Sequence, residues 1–383
     1  MTGTVLLLAT LATKADEAAY LTRRLTDHGA TVRTIDISLE TGGKTLGGSD
    51  KIAAMQATVA RVWDDVAAAV ETNTDVTIGI GGGTGGEVIL QVLRALPVTF
   101  PKLLVTTLPF DPRGAIADNS IILVPTLADI CGLNATLRQV LDNTAAMTVG
   151  LCSSTRTHDA DPPVSSVGIT AMGATEAAVA PLVKRLGQRG QETTVFHSNG
   201  YGGAAFTRFA NQGAFHAIID LTPHELTRLE LTGDHVPMAG RFTSAGALPR
   251  IVLPGGLNFL GLGAAALVPS NYLQRPHYAH STYFTHAKLN PDEMTQMASK
   301  LIDALNNATG PRALIVPMGG FSHQDCLGGA IEDPELRQIF LDVARSKLKA
   351  EIALHIMPEH ISAPAVTDKI ITVLKTLTLD QFL

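Results

Sequence analysis

A glycine-rich segment in the first third of the chain has the residue types needed to hold a phosphate group. A largely β-branched apolar run, Val76–Ile80, leads into five glycines within six positions: Gly81, Gly82, Gly83, Gly85 and Gly86, with Thr84 among them. A helical apolar pattern follows, so the segment is predicted to be a strand, a turn and a helix start. Without Cβ atoms, backbone N–H groups can approach an anion closely, and a helix N-terminus adds about half a positive charge. We interpret the turn as a phosphate site.

The spacing of these glycines does not by itself define the ligand. Gly81, Gly83 and Gly86 fit G-x-G-x-x-G, a pattern that arises easily in glycine-rich sequence. Glu87 stands where a P-loop has its lysine, and the segment follows the third predicted strand, whereas a dinucleotide fingerprint normally follows the first. The structural alternative is a turn that only lets a helix pack against a strand.

Other polar residues follow the first two predicted strands. Thr13 and Lys14 come after strand Thr4–Ala9, and Asp36 ends strand Thr31–Asp36. Ligands of parallel sheets bind beyond the carboxyl ends of the strands. Thr13 and Lys14 are therefore candidates for phosphate or ribose contacts, and Asp36 for the ribose hydroxyls. A helix-capping role for Thr13 and a turn role for Asp36 are the structural alternatives.

A second glycine turn occurs in the other half of the chain. Gly200-Tyr201-Gly202-Gly203 matches Gly83-Thr84-Gly85-Gly86, and each is predicted to follow a strand and open a helix. The match suggests two α/β domains, each presenting a bare backbone loop, with a cleft between them. His197 and Asn199 precede the second turn, and a histidine there could act as an acid, a base or a phosphate donor.

Two further segments concentrate polar residues. The segment 275–286 carries Arg275, His280 and two more histidines, whose spacings of three and six fit no standard zinc pattern, so we expect an anion site and no metal. Ser322 and His323 follow a third strand-and-glycine turn. By contrast, Glu225, like the acidic residues after Asn290 and Asp333, lies in a helix-start pattern, and we do not interpret it as catalytic.

The elements that must position these residues are those of an α/β protein. The 383 residues alternate predicted strands and helices, which indicates two Rossmann-like domains with mostly parallel, doubly wound sheets. We place the domains at 1–155 and 164–383, with a polar, proline-containing linker at 153–163. The net charge of −6 argues against a nucleic-acid surface, no run is long enough to span a membrane, and three distant cysteines favour reduced thiols in a cytoplasmic protein.

Several motifs, in their order along the chain, resemble those of the Tm-one-like ATP-binding proteins. The resemblance rests on residues 10–14, 79–86, 197–203, 278–280, 319–322 and 360–361. It implies ATP on the N-terminal domain, with Mg²⁺ accompanying the nucleotide, and a homodimer. By resemblance, the nucleotide would be held by Thr13, Lys14, Asp36, Thr107 and the loop Gly81–Gly86. Ala12, Ala15, Ser362 and Ala363 depart from the family pattern, so both the ATP site and the family chemistry are expected to be altered.

We therefore predict an ATP-binding protein with a small anionic metabolite in the cleft. Its contacts would be His197, His280 and His323 as catalytic candidates, and Asn199, Gly200, Gly202, Gly203, Arg275 and Ser322 as substrate contacts. An enzyme of this kind would perform phosphoryl transfer or ATP-driven carboxylate activation. The alternatives are a non-catalytic nucleotide-binding module, an NAD-dependent oxidoreductase, and a hydrolase or lyase that uses the histidines without nucleotide.

Overall fold

The chain folds into two α/β units. The computed structural model describes residues 3–42, 46–107, 111–155, 166–232 and 236–379, with the backbone alone at 153–155. The units comprise Met1–Asp161 and Pro162–Leu383. The linker predicted at 153–163 lies mostly outside the described residues. Within those residues, no helix is long and apolar enough to cross a membrane.

Unit 1 is a doubly wound parallel sheet. Its elements in chain order are β1 (Thr4–Ala9), α1 (Leu11–Asp27), β2 (Thr31–Asp36), α2 (Gly48–Asn73), β3 (Val76–Ile80), α3 (Gly83–Ala95), β4 (Lys102–Thr106), α4 (Arg113–Ile116), β5 (Ile122–Pro125) and α5 (Ala135–Thr155). The strand order is β2-β1-β3-β4-β5, and all neighbours are parallel. The direction of winding reverses between β1 and β3, which is the topological switch point where ligands of such sheets bind.

The core of unit 1 explains why its strands are so apolar. Val5, Leu7 and Ala9 of β1 pack toward α1 and α5, whereas Leu6 and Leu8 face the layer formed by α2 and α3. Both faces of the sheet are therefore covered, and the central strands read as continuous apolar runs because no side of them meets water.

Unit 2 has the same plan with an addition. Its elements are β6 (Ser166–Ala171), α6 (Glu176–Gly187), β7 (Thr193–His197), α7 (Tyr201–Asn211), β8 (Phe215–Asp220), α8 (Glu225–Thr227), β9 (Arg250–Val252), β10 (Phe259–Leu262), α9 (Ser270–Leu273), β11 (His277–Ser281), β12 (Phe284–Lys288), α10 (Pro291–Asn307), β13 (Arg312–Pro317), α11 (Pro334–Lys347), β14 (Ala353–Met357) and α12 (Pro364–Thr378). The parallel order is β7-β6-β8-β9-β13-β14, with its switch point between β6 and β8. Strands β10, β12 and β11 form a separate antiparallel sheet.

The fold class expected from the sequence is confirmed, and the main differences are local. The antiparallel sheet was not predicted, because β10 has only four residues and because β11 and β12 mix polar residues, including three histidines, with apolar ones. Helix α1 begins at Leu11, so Thr13 lies inside its first turn and does not cap it. The caps predicted at Asn290 and Asp333 are confirmed, since each side chain accepts hydrogen bonds from first-turn amides.

Candidate functional site

Unit 1 contains a cavity of about 530 Å³ at its switch point. The loops after β1, β2 and β3 form its walls. We call it the unit 1 cavity; its lining includes Thr10, Ala12, Thr13, Lys14, Ile37, Ser38, Leu39, Thr41, Leu46, Lys51, Gly82, Gly83, Thr84, Gly85, Val88 and Asp129. The structure thus brings together the predicted Thr13, Lys14 and the central part of the glycine turn.

The first turn of α3 opens into this cavity. Gly82 is the N-cap of α3 and offers no side-chain cap, so the first amides of the helix are not covered by a capping group. A Cβ on Gly82 would meet no heavy atom within 4 Å, whereas one on Gly81 would lie 2.7 Å from the Gly85 carbonyl carbon. Gly81 therefore allows close packing within the turn, and Gly82 keeps the backbone open to the cavity.

Two lysines contribute positive charge to the unit 1 cavity. Lys14 lies where α1 departs from helical geometry, and its ammonium group donates a hydrogen bond to the carbonyl oxygen of Ile130 in the loop after β5. Lys51 was not predicted as a site residue, because it lies in the first turn of the long helix α2 and follows no predicted strand. Asp129 adds one carboxylate to the lining.

The predicted nucleotide contacts Asp36 and Thr107 do not line this cavity. One oxygen of the Asp36 carboxylate accepts hydrogen bonds from the Leu11 amide (3.0 Å), the Ser38 amide (2.9 Å) and the Ser38 hydroxyl (2.6 Å). Partial burial opposes ionisation, but these hydrogen bonds outweigh it and lower the pKa of Asp36. Asp36 therefore holds the start of α1 against Ser38, which itself lines the cavity. Thr107 directly follows β4.

Unit 2 contains a smaller cavity of about 230 Å³, again at its switch point. We call it the unit 2 cavity; it is lined by Met172, Gly173, Ala174, His197, Ser198, Asn199, His224, Arg228, Gly261, His280, Phe284 and His286. It unites three predicted residues, His197, Asn199 and His280, with two histidines that were not predicted as site residues. One wall comes from the antiparallel sheet, which is why His280 and His286 reach a site at the ends of β6, β7 and β8.

His224 is the most buried histidine of this cavity, with 1% of its surface exposed. Its Nδ1 lies 2.8 Å from the carbonyl oxygen of Gly256. A carbonyl can only accept, so Nδ1 carries the proton and the neutral ring keeps a lone pair on Nε2. Nε2 is buried and has no hydrogen-bond partner among the described residues. Burial lowers the pKa of His224 to about 4, and the charge of Arg228 acts in the same direction.

His286 lies in a cluster of stacked aromatic rings at the unit 2 cavity. Its ring stacks on His280, with centroids 4.8 Å apart, and on Phe259 at 4.3 Å. Its Nδ1 shares a hydrogen bond of 2.7 Å with the Tyr278 hydroxyl. Burial lowers the pKa of His286 to about 3 and raises the pKa of Tyr278 to about 12. Both buried imidazoles are therefore neutral at physiological pH.

The second glycine turn is closed from within the unit, and the prediction of a bare loop there is wrong. The Gly200 amide donates to Oε1 of Glu225 (2.9 Å), and the Gly202 amide donates to the side chain of Asn199 (3.2 Å). A Cβ on Gly203 would lie 2.3 Å from Oε1 of Glu225. Gly200, Gly202 and Gly203 do not line the unit 2 cavity.

A buried ion cluster holds this closing carboxylate in place. Arg241 donates to Oε2 of Glu225 (2.6 Å) and, through two nitrogens, to both oxygens of Asp220 (2.8 and 2.9 Å). All three side chains are at most 1% exposed. Burial disfavours the charged carboxylate, but Arg241 outweighs it and lowers the pKa of Asp220. The capping-box interpretation of Glu225 is therefore wrong, because its carboxylate points inward to Arg241.

The remaining predicted contacts do not line the unit 2 cavity. Arg275 forms an ion pair of 2.6 Å with Glu293. Ser322 is fully buried, and its hydroxyl has no partner among the described residues. His323 is exposed, and its amide donates to the carbonyl oxygen of Ala174. In the part of the chain that the structure describes, no group of three or more His, Cys, Asp or Glu side chains could hold a metal ion.

These features define a two-unit α/β protein with one glycine-lined cavity and one histidine-lined cavity. The models of the Uncharacterised protein family (UPF0261) match it in both units: the N-terminal domain model matches residues 40–157 and the C-terminal domain model residues 165–378. The chain belongs to this family.

Relatives in bacteria and plants support the same conclusion. The chain is 30% identical to a UPF0261 protein of Rhizobium meliloti over 94% of its length and 95% of the relative, and 29% identical to one of Mesorhizobium japonicum over 94% and 96%. It is also 28% identical to the ToMV resistance protein Tm-1 of Solanum lycopersicum over 69% of this chain and 36% of the tomato protein. The resemblance to the Tm-one-like family is thereby confirmed.

Proposed function

We propose that unit 1 binds ATP, with the phosphates at the first turn of α3. The observation that carries the proposal is that this uncapped turn, Lys14 and Lys51 all line one cavity. Helix-terminal amides and ammonium groups are complementary to phosphate oxygens. The position at the switch point of a parallel sheet supports the same assignment.

The rest of the cavity suits a nucleoside. Its volume of about 530 Å³ falls within the range of small-molecule sites, about 300–1,000 Å³. Apolar side chains that could contact a base lie in the lining together with the hydroxyl groups of Ser38 and Thr41. Mg²⁺ would arrive with the nucleotide, and the carboxylate of Asp129 in the lining could coordinate it.

We extend the proposal to a small anionic metabolite in unit 2. Arg228, His197 and Asn199 line its cavity and would neutralise and orient such a molecule. If ATP is cleaved, the reaction would be phosphoryl transfer or activation of a carboxylate; if it is only bound, the protein is a nucleotide-dependent regulatory module. A homodimer in the cytoplasm remains part of this proposal on the strength of the family resemblance and the cysteine pattern.

The test is a calorimetric titration with ATP, ADP and NAD, each with and without Mg²⁺, on the full chain and on Gly83→Asp. A carboxylate in the first turn of α3 interacts favourably with the helix dipole, so the fold is retained, but the carboxylate repels phosphate. We expect ATP affinity to fall at least about 100-fold, or about 2.8 kcal/mol. Gly150→Asp, at an exposed position of α5, is the matched control and should bind ATP normally. Unchanged affinity in Gly83→Asp would remove the turn from the site.

A second candidate is a hydrolase or lyase that works without nucleotide. It is favoured by one observation, the cluster of His197, His224, His280 and His286 around the unit 2 cavity. Failure of ATP, ADP and NAD to bind would favour this candidate, and tight binding of NAD alone would favour an oxidoreductase.

A further inference from the structure

The unpartnered nitrogen of His224 restricts what the unit 2 cavity can bind. Nε2 is buried and belongs to a side chain that lines the cavity. It carries a lone pair, because Nδ1 donates to the Gly256 carbonyl at 2.8 Å. A buried acceptor without a partner costs about 1–3 kcal/mol. A ligand that supplies a donor at this point would recover that free energy.

The surroundings keep His224 an acceptor. Arg228 lines the same cavity and carries a fixed positive charge, which disfavours a second positive charge on the ring. The ring also lies against Phe259, with centroids 4.5 Å apart, and a Cβ on Gly261 would come within 3.0 Å of Nε2. With Nδ1 donating to the Gly256 carbonyl, Nε2 offers a lone pair and no proton.

The cavity also selects for charge and size. Arg228 is the permanently charged side chain of the lining, and the described lining residues include no carboxylate. The cavity volume of about 230 Å³ equals roughly eight water molecules at ~30 Å³ each. A small anion fits these conditions, and a nucleotide is too large.

We propose that the unit 2 cavity binds a small hydroxy acid, whose hydroxyl group donates a hydrogen bond to Nε2 of His224 while its carboxylate lies near Arg228. The inference rests on the metabolite part of the proposed function and does not require nucleotide binding. It makes His224 a specificity-determining residue: an otherwise identical acid without the hydroxyl leaves Nε2 unpaired and binds more weakly.

The test compares matched pairs of acids on the full-length protein. Calorimetry is run with glycolate and acetate, with each lactate enantiomer and propionate, and with each malate enantiomer and succinate, up to about 10 mM. In at least one pair, we expect the hydroxy acid to bind at least tenfold more tightly. In the same pair, histidine-labelled protein should show a shift of the Nε2 resonance of His224 with the hydroxy acid alone.

His224→Asn separates the ligand role from the structural role. The asparagine amide can still donate to the Gly256 carbonyl, but it places no acceptor at the Nε2 position. We expect this variant to fold and to lose the preference for the hydroxy acid. If it does not fold, the Nε2 resonance of the unaltered protein still decides the question.

Four outcomes would overturn the inference: no acid binds, the members of every pair bind equally, the preference survives in His224→Asn, or the Nε2 resonance does not respond. Zinc chloride alone is titrated as well, and zinc that binds at Nε2 more tightly than any acid would make this a metal site instead. ATP is titrated into the same samples, so failure of the nucleotide proposal is recorded separately from failure of the hydroxy-acid proposal.

Discussion

The two glycine turns share a sequence pattern, but the first follows the central strand β3 and the second follows the edge strand β7. Only the first turn leaves its backbone amides open. In unit 1, the turn before α3 is uncapped and opens into a cavity. In unit 2, the turn before α7 is filled by Glu225 and Asn199, which take the amides of Gly200 and Gly202. A glycine-rich turn after a parallel strand is therefore open only if no neighbouring side chain already occupies its amides.

The difference extends to how each unit would recognise a ligand. Unit 1 presents backbone amides and two lysines, which suit an anion with many equivalent oxygens. Unit 2 presents imidazole rings held by Gly256 and Tyr278, which suit one donor or acceptor at a defined point. Equivalent positions in two related sheets thus carry different chemistry, because the site is built from local residues on a shared scaffold.

The largest expected effect comes from removing the cation that keeps the second turn closed. Arg241→Met leaves Asp220 and Glu225 buried without a counter-charge, and we expect a loss of about 3–5 kcal/mol in unfolding free energy. Urea unfolding followed by circular dichroism measures it, while the fluorescence of Trp63 in α2, the chain's one tryptophan, reports on unit 1. The control Arg185→Met breaks an exposed pair with Asp368 and should cost under about 1 kcal/mol. Equal losses of unfolding free energy in the two variants would contradict a stabilising role for the buried ion cluster.

Lowering the pH should reduce the unfolding free energy of unit 2, because its buried histidines are neutral in the folded state. The pKa of His224 is lowered from 6.5 to about 4, so the unfolded chain binds more protons between these values, and stability falls as the pH drops through this window. The loss approaches about 3 kcal/mol for this residue alone. Urea midpoints from pH 7 to pH 4 should fall less steeply in His224→Asn than in the unaltered protein. Identical slopes would mean that the ring is not held neutral.

A matched pair of glycine substitutions sharpens the comparison between the turns. Gly203→Ala drives a Cβ against Glu225, which Arg241 holds in place, and should cost about 1–3 kcal/mol. Gly82→Ala meets no heavy atom within 4 Å and should cost at most about 1 kcal/mol, since Ala is a poorer N-cap than Gly. Thermal unfolding of both variants measures the difference. A reversed order would show that the second turn is the open one.

The smallest effect concerns the lysine that the sequence analysis missed. Lys51→Met removes one charge from the unit 1 cavity, and we expect ATP affinity to fall up to about tenfold, or about 1.4 kcal/mol. Lys184→Met, on the exposed surface of α6, is the control. Calorimetry at low and high salt should show the difference shrinking as salt screens the charge. Equal affinities for the two variants would place Lys51 outside the site.

The α/β scaffold and the glycine turn of unit 1 could be predicted from the sequence. Apolar runs of five or six residues followed by glycine predict buried parallel strands, and Val76–Ile80 with the following glycines is the strongest example. The site of unit 2 was only partly predictable. His224 stands in a Thr-Pro-His-Glu context that reads as a helix start, and the Arg241 partner of Glu225 lies sixteen residues further along the chain.

The missing information was spatial. Strand order cannot be read from one sequence, so the ends of β6 and β8 could not be recognised as neighbours. Nor could the wall that carries His280 and His286 be recognised as a sheet, because its strands are short and show no regular alternation of polar and apolar residues. A histidine four residues after a largely buried strand, as His224 follows β8, was the available signal.

The two nitrogens of His224 connect the inside of the cavity to the backbone beyond it. A donor at Nε2 draws electron density across the ring, which makes the Nδ1 proton more acidic and strengthens its hydrogen bond to the Gly256 carbonyl. That carbonyl belongs to the loop after β9, whereas His224 belongs to the loop after β8. A ligand that donates to Nε2 would therefore strengthen the hydrogen bond that joins the loops after β8 and β9. Slower amide hydrogen exchange in both loops would show this effect.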